Sequence, residues 1–321
     1  MSRNPGGGRE IGSMCMFKTR LMAFVALCCA AFASPLAAQE RGLLDYTTFA
    51  TNDLYGDGQD RWQSASNMIS FLYGPKDRYD PPAQFGRLWE LRGGLQIITP
   101  ENTRAPAAGD RRVAGILRAG LWTHAARGGW DFALGGGVEA VGPATRLISL
   151  QDRFHQRFGF DRISAGAQAS QIGNRVRPMA SATASYDVSL GDAVTLRPFV
   201  EGRYGLESYA RAGFDLTLGP GFDHGVFGRD YVTGHKYQVL EGATEPGVTA
   251  VFGADVARVF SSAYLPAPTY RPTALRSRVR AGMMVEDKLF SLFYGATYLG
   301  PEFVGQGGGQ VVGSWQLQLK F

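Results

Sequence analysis

From Leu44 to the terminal Phe321 the sequence runs in stretches of about ten residues that alternate apolar and polar side chains. Gly, Pro, Asp and Asn part these stretches. A period of two gives a strand with two unlike faces. In a membrane barrel one face meets lipid and the other a polar lumen. The end of the chain is the clearest case. Phe321, Leu319, Leu317, Trp315 and Val311 form the apolar set, and Lys320, Gln318, Gln316 and Ser314 lie between them. A final strand closing on an aromatic residue resembles the insertion signal of bacterial outer-membrane barrels, which implies the barrel-insertion machinery as a partner.

The same alternation predicts strands at about 44–54, 66–74, 86–98, 112–124, 129–142, 177–189, 194–204, 207–218, 247–257, 276–286 and 289–299. With the terminal strand these make about twelve, an even number as bacterial single-chain barrels require. The fold class expected is therefore all-β, a transmembrane antiparallel β-barrel. Tight turns at 190–193 and 205–206 are expected at one end. Longer excursions at 74–85, 143–176, 219–246 and 258–275 are expected at the other. Trp89, Trp122, Trp130 and Tyr298 lie near strand ends, either as an interfacial girdle or simply as strand-favouring residues.

The N-terminus fits export. Lys18 and Arg20 precede the apolar run Leu21 to Ala33, and Ser34, Ala37 and Ala38 follow, the order of a secretory signal peptide. Residues 1–38 are read as that signal and residues 39–321 as the mature barrel. Cys15, Cys28 and Cys29 all lie in the leader, so thiol catalysis, thiolate metal binding and disulfides are excluded for the mature chain. No later apolar run reaches the length of a membrane helix. The formal charge of +5 suits an anionic lipid. The basic residues are scattered, with no block to serve as a nucleic-acid arm.

One segment breaks the rhythm. Between Thr145 and Phe158, Leu147, Leu150, Phe154 and Phe158 recur at helical spacing, predicting a short helix inside a long loop. Gln151 and His155 lie four apart on an adjacent face. His155 has Asp152 and Asp161 nearby, and a histidine oriented by a carboxylate is a usual general base near neutral pH. His124, His224 and His235 are read as surface or rim residues. A second cluster follows the first strand: Asn52 and Asp53, then Asp57, Asp60, Arg61 and Ser64. Its oxygens suit calcium, and the Asn52 side-chain amide or a backbone amide suits an oxyanion, although the spacing of an EF-hand is absent. The same residues also suit an Asx-rich turn.

At these residues the chain resembles the lipid A 3'-O-deacylases, a family of twelve-stranded outer-membrane barrels. The opening Asn52-Asp53-Leu54-Tyr55, with Asp60-Arg61 and Ser64, is similar to that family's first-strand element. Gly142-Pro143, then Gln151, Asp152, Arg153, Phe154 and His155, matches its Gly-Pro…Gln-Asn-x-x-His segment in spacing. Thr99-Pro100, Gly109-Asp110-Arg111 and Ala114-Gly115 follow in the family's order, as do Glu302-Phe303, Gly305-Gln306 and Gly313-Ser314. The resemblance implies a hydrolase that removes the 3'-acyloxyacyl group of lipid A with calcium. It implies His155 as base, Asn52 and Asp53 in the metal and oxyanion region, Ser64 at a hydroxyl position and Asp161 at an acidic one. Arg104 and Gln151 are implied on the substrate side. The site is expected on the outside of the wall, where lipopolysaccharide arrives laterally. The chain departs from the family where Tyr-Thr-Asn-Gly becomes Gln63-Ser64-Ala65-Ser66. The alternative is a non-catalytic barrel, structural or a channel, that keeps the scaffold.

Overall fold

The computed structural model describes residues 40–76, 82–220, 222, 225–241 and 246–319. Residues 1–39, His224, Lys320 and Phe321 therefore lie outside the described residues. Strands β1 (Arg41–Asn52), β2 (Trp62–Pro75), β3 (Leu88–Thr99), β4 (Ala114–Arg127) and β5 (Trp130–Val141) run up and down in sequence order. A helical excursion carries α1 (Leu147–Phe158) and the short α2 (Ala165–Ala169). Then come β6 (Arg175–Tyr186), β7 (Val188–Gly191), β8 (Val194–Tyr204) and β9 (Glu207–Leu218). A separate hairpin, β10 (Gly225–Arg229) and β11 (Lys236–Glu241), precedes β12 (Gly247–Ser262), β13 (Arg276–Glu286), β14 (Phe290–Leu299) and β15 (Gln310–Leu319).

Every wall strand pairs antiparallel with its neighbours, and β1 pairs with β15 to close the cylinder. The short β7 continues β6 past Asp187, so the wall has twelve strands. Each expected strand has an observed counterpart displaced by only a few residues. The terminal alternation holds as well: Trp315 and Leu317 face outward, while Ser314, Gln316 and Gln318 are buried inside.

The polarity is inverted relative to a soluble protein. Leu117, Leu121, Leu134, Val138, Phe252, Val256, Val279 and Leu292 are exposed on the outside. Arg92, Arg118, Glu139, Arg203, Asp215, Asp255, Arg278 and Arg280 are buried within. The lumen charges are paired. Arg280 lies between Asp215 and Asp255, with Nη2 donating to Asp215 Oδ1 at 2.6 Å. Toward the end where β1 begins and β15 ends, β10 and β11 pack inside the cylinder. Tyr237 and Val239 are fully buried against Phe49, Met68, Leu72 and Phe293. Two internal cavities of about 60 and 40 Å³ lie in this filled interior.

Three expectations are corrected. The turns at 192–193 and 205–206 lie at opposite ends, because β8 runs between them. Strand parity is therefore regular. The excursions after β2 and β9 leave the wall at the end where β1 begins and β15 ends, and those after β5 and β12 at the other rim. Segment 219–246 is long because it folds back into the lumen as the hairpin. Trp122 is no girdle residue, since it points inward into space left by Gly135, where a Cβ would sit 2.3 Å from the indole. Its Nε1 donates to Ser181 Oγ at 2.9 Å and Arg92 stacks over its ring. Trp130 and Tyr298 do face outward, both half exposed. Nor are His124 and His235 surface residues. His124 is buried against Glu90, with Nε2 2.8 Å from Oε2, and His235 packs edge-on to Phe293.

Replacing Arg280 by methionine removes the cation that Asp215 and Asp255 share, leaving Asp215 to Arg229 and Asp255 to Arg278 and Arg211. The expected cost is about 1.5–3 kcal/mol, the scale of lost hydrogen bonds to charged groups, read as a lower urea midpoint for unfolding from vesicles. An unchanged midpoint would show that the lumen network contributes little to stability.

Candidate active site

α1 stands against the outside of the wall. Its Leu147 and Ile148 pack with Ile163 and Ala167 on Ile97, Ala65 and Leu95. Ala65 and Ile97 are register partners on adjacent strands and share the outward face. Gly115, opposite Ile97, allows this approach, since a Cβ there would lie 2.9 Å from Leu147 Cβ. Burying Leu147 and Ile148 contributes roughly 1.5–3 kcal/mol each. The helix is entered through Gly142-Pro143, where Asn174 Oδ1 accepts from the Ala144 N–H at 2.8 Å. It ends at Gly159 in the left-handed conformation, with the Gly159 N–H donating to His155 O.

The helix buries its polar side. Gln151, Asp152 and His155 face the wall, while Leu150, Phe154 and Phe158 are exposed. Gln151 Nε2 donates to Ser64 Oγ at 3.0 Å, and Ser64 Oγ donates to Asp60 Oδ1 at 2.6 Å. Ser64 is the extra residue of a bulge in β2, between the register pairs of Gln63 and Ala65. Such a bulge re-aims a side chain. His155 Nδ1 lies 2.5 Å from the backbone oxygen of Asp161 and 3.7 Å from Asp60 Oδ2. A carbonyl oxygen only accepts, so Nδ1 carries a proton, and in the neutral imidazole Nε2 is the nitrogen with the lone pair. Among the described residues Nε2 makes no hydrogen bond.

The two sequence clusters thus meet at one rim. His155, Gln151 and Ser64 come together, and Asp53 and Asp60 lie beside them. The group facing His155 from the acidic loop is Asp60, which sequence reasoning noted only as part of that cluster. The carboxylates expected to orient the imidazole point elsewhere. Asp161 is mostly exposed and pairs with Arg104. Asp152 accepts from Arg162 Nε and Nη2 at 3.1 and 2.5 Å, and that hydrogen-bonded pairing holds its carboxyl below the usual range. Arg104 and Arg162 instead line an open cavity of about 680 Å³ with Phe160.

Asn52 caps the 3-10 turn Asp53–Tyr55, its Oδ1 accepting from the Leu54 N–H at 2.8 Å. Asp53 is buried and accepts from the Arg61 N–H at 3.2 Å. Burial first, then repulsion from Asp60, pushes its carboxyl up to about 8. Asp60 Oδ2 and Gln151 Oε1 are both buried without a hydrogen-bond partner. Among the described residues no three His, Cys, Asp or Glu side chains are grouped to hold a metal. Two crowded carboxylates, one with an unpaired oxygen, nonetheless suit a hard dication completed by amide, backbone or water oxygens.

The family profile of the outer membrane protein LpxR matches residues 23–321. Among solved structures, LpxR from Salmonella typhimurium is similar with a TM-score of 0.68 at 17% identity, over 86% of this chain and 100% of that one. At that identity the likeness concerns the fold. The KdgM porin reaches a TM-score of 0.40 at 6% identity, over 86% and 99% of the two chains. No curated protein matches the sequence.

With divalent cations chelated, Asp53 is expected to be a neutral acid at pH 6 and to ionise with a midpoint near pH 8. Infrared difference spectra of wild type against Asp53→Asn read this directly. The carboxylic-acid carbonyl band should fade as pH rises through that midpoint, and calcium should remove it at lower pH. A carboxylate already ionised at pH 6 without cation would contradict the burial argument.

Proposed function

The chain belongs to the outer membrane protein LpxR family, and on that premise we propose that it is a lipid A deacylase that hydrolyses the 3'-acyloxyacyl ester. The observation that carries the reading is His155, held on the outer face of the wall with Nδ1 donating to a backbone carbonyl and Nε2 free. A lipid in the outer leaflet reaches that face laterally, without entering the lumen.

In this reading His155 Nε2 takes a proton from water, whose oxygen bonds to the acyl carbonyl carbon. The bond from that carbon to the sugar oxygen breaks, and the proton on Nε2 passes to the departing oxygen. The products are a free acyloxy acid and a 3'-hydroxyl, so atoms balance with one water consumed. Asp161 keeps the imidazole tautomer through its backbone oxygen rather than its carboxylate. Gln151 and Ser64 hold Asp60, and Asn52 holds the turn that presents Asp53. The carboxylates of Asp53 and Asp60 are the donors we assign to calcium. Bound there, the ion supplies Lewis-acid polarisation of the ester carbonyl. Arg104 and Arg162, exposed beside the site, suit the anionic head of the substrate.

His155→Ala should fold normally yet lower deacylation by about 10²–10⁴-fold, the usual contribution of a general base. The lipid A mass spectrum of expressing cells reads it. If that variant removes the acyloxyacyl group as fast as wild type, His155 is not the base. The non-catalytic alternative expects a spectrum unchanged by wild type itself. Its channel form expects steady conductance in planar bilayers. The plug hairpin and paired lumen charges lead us to expect no such conductance.

A further inference from the structure

α1 has three sides, not two. With 3.6 residues per turn, Ile148, Gln151, Asp152 and His155 fall on the side against the wall. Leu150, Phe154 and Phe158 form a second, exposed apolar ridge. Ser149, Arg153, Gln156 and Arg157 form a third, exposed and basic. The ridge is extended by Phe160, whose ring stacks on Phe154 with centroids 6.1 Å apart. Phe154 and Phe158 lie 4.5 Å apart. Four large apolar side chains left together in water would be costly.

What covers them follows from where the helix stands. Leu147 packs over Gly115, and Leu117, two residues along β4 on the same face, belongs to the exposed apolar wall. Two strand residues span about 7 Å, so the ridge begins within one helix diameter of the lipid-facing belt. An interfacial helix buries its apolar face about 5–10 Å into the headgroup and acyl boundary, with basic residues on the polar side.

We propose that α1 is an interfacial helix seated in the outer leaflet, with Leu150, Phe154 and Phe158 among acyl chains and Arg153 and Arg157 at the level of anionic headgroups. The ridge is continuous with the membrane-facing wall. The seating fixes the depth of His155, whose ring lies 5.7 Å from that of Phe160. The inference rests on the outer-membrane location and not on hydrolysis.

The mature chain after residue 38 contains no cysteine, so single-cysteine labelling is clean. Leu150→Cys, Phe154→Cys and Phe158→Cys, with Ser149→Cys and Gln156→Cys as the polar-side set, are nitroxide-labelled. Each is reconstituted in vesicles containing anionic lipid, with folding checked by gel mobility before and after heating. Relaxation by oxygen, which partitions into lipid, is compared with relaxation by a water-soluble nickel chelate. The ridge labels should favour oxygen and the polar-side labels nickel. Five labels that all report water would overturn the proposal. Ridge labels shielded from both reagents would also overturn it, since a protein surface would then cover the ridge. In a second arm, Leu150→Ser/Phe158→Ser should slow hydrolysis of vesicle lipid A about tenfold and leave detergent-dispersed lipid A nearly unaffected. Absence of any hydrolysis by wild type would sink the enzymatic reading alone and leave the label result to decide this one.

Discussion

The pairing of β1 with β15 is the constraint on which the rest of the molecule depends. In hydrocarbon no water is available to satisfy an open sheet edge, so the strands must close on themselves. The seam that closes the cylinder also holds the acidic loop. The Asp57 N–H donates to Val311 O at 3.0 Å, and the Val311 N–H donates to Asp57 Oδ2 at 3.2 Å. A Cβ on Gly56 would strike Val311 O, so the loop lies directly on β15. Asp53 and Asp60 are thus fixed by the same closure that makes the barrel possible, and α1 needs only to lean on the neighbouring strands to meet them.

Polarity runs the same way at two scales. The wall presents leucine, valine and phenylalanine outward and keeps arginine and aspartate within, because its solvent is lipid outside and a packed polar lumen inside. α1 repeats this in miniature, with Gln151, Asp152 and His155 against the protein and aromatic rings away from it. A soluble helix with the same residues would turn over. The site therefore sits between a polar helix face and a polar rim, where burial makes a carboxylate such as Asp53 costly to ionise. That environment strengthens any electrostatic interaction made within it.

Much of this was legible in the residues. Period-two alternation located all twelve wall strands, because each needs one face for lipid and one for the lumen. The break in that period located α1. The motifs near residues 52 and 155 pointed to one rim, where the loop after β1 and the excursion after β5 now meet. The failures share a cause. Trp122, His124 and His235 were placed by local context, yet their surroundings come from distant strands: Ser181 across the sheet, Glu90 on β3 and Phe293 on β14. The hairpin β10–β11 escaped notice because its strands are only five and six residues long and sit in a glycine-rich segment.

The amino-acid sequence by itself determined that the chain forms a closed antiparallel barrel with one helical excursion, since alternation and strand length are local properties that only a two-solvent sheet satisfies. Tertiary structure alone decided the partners. It placed Asp60 rather than the Asp161 carboxylate toward His155, gave the imidazole a backbone oxygen, and turned the polar side of α1 to the wall. Those outcomes depend on where strands far apart in sequence come to rest. No spacing along the chain encodes the distance between two points on a cylinder before it closes.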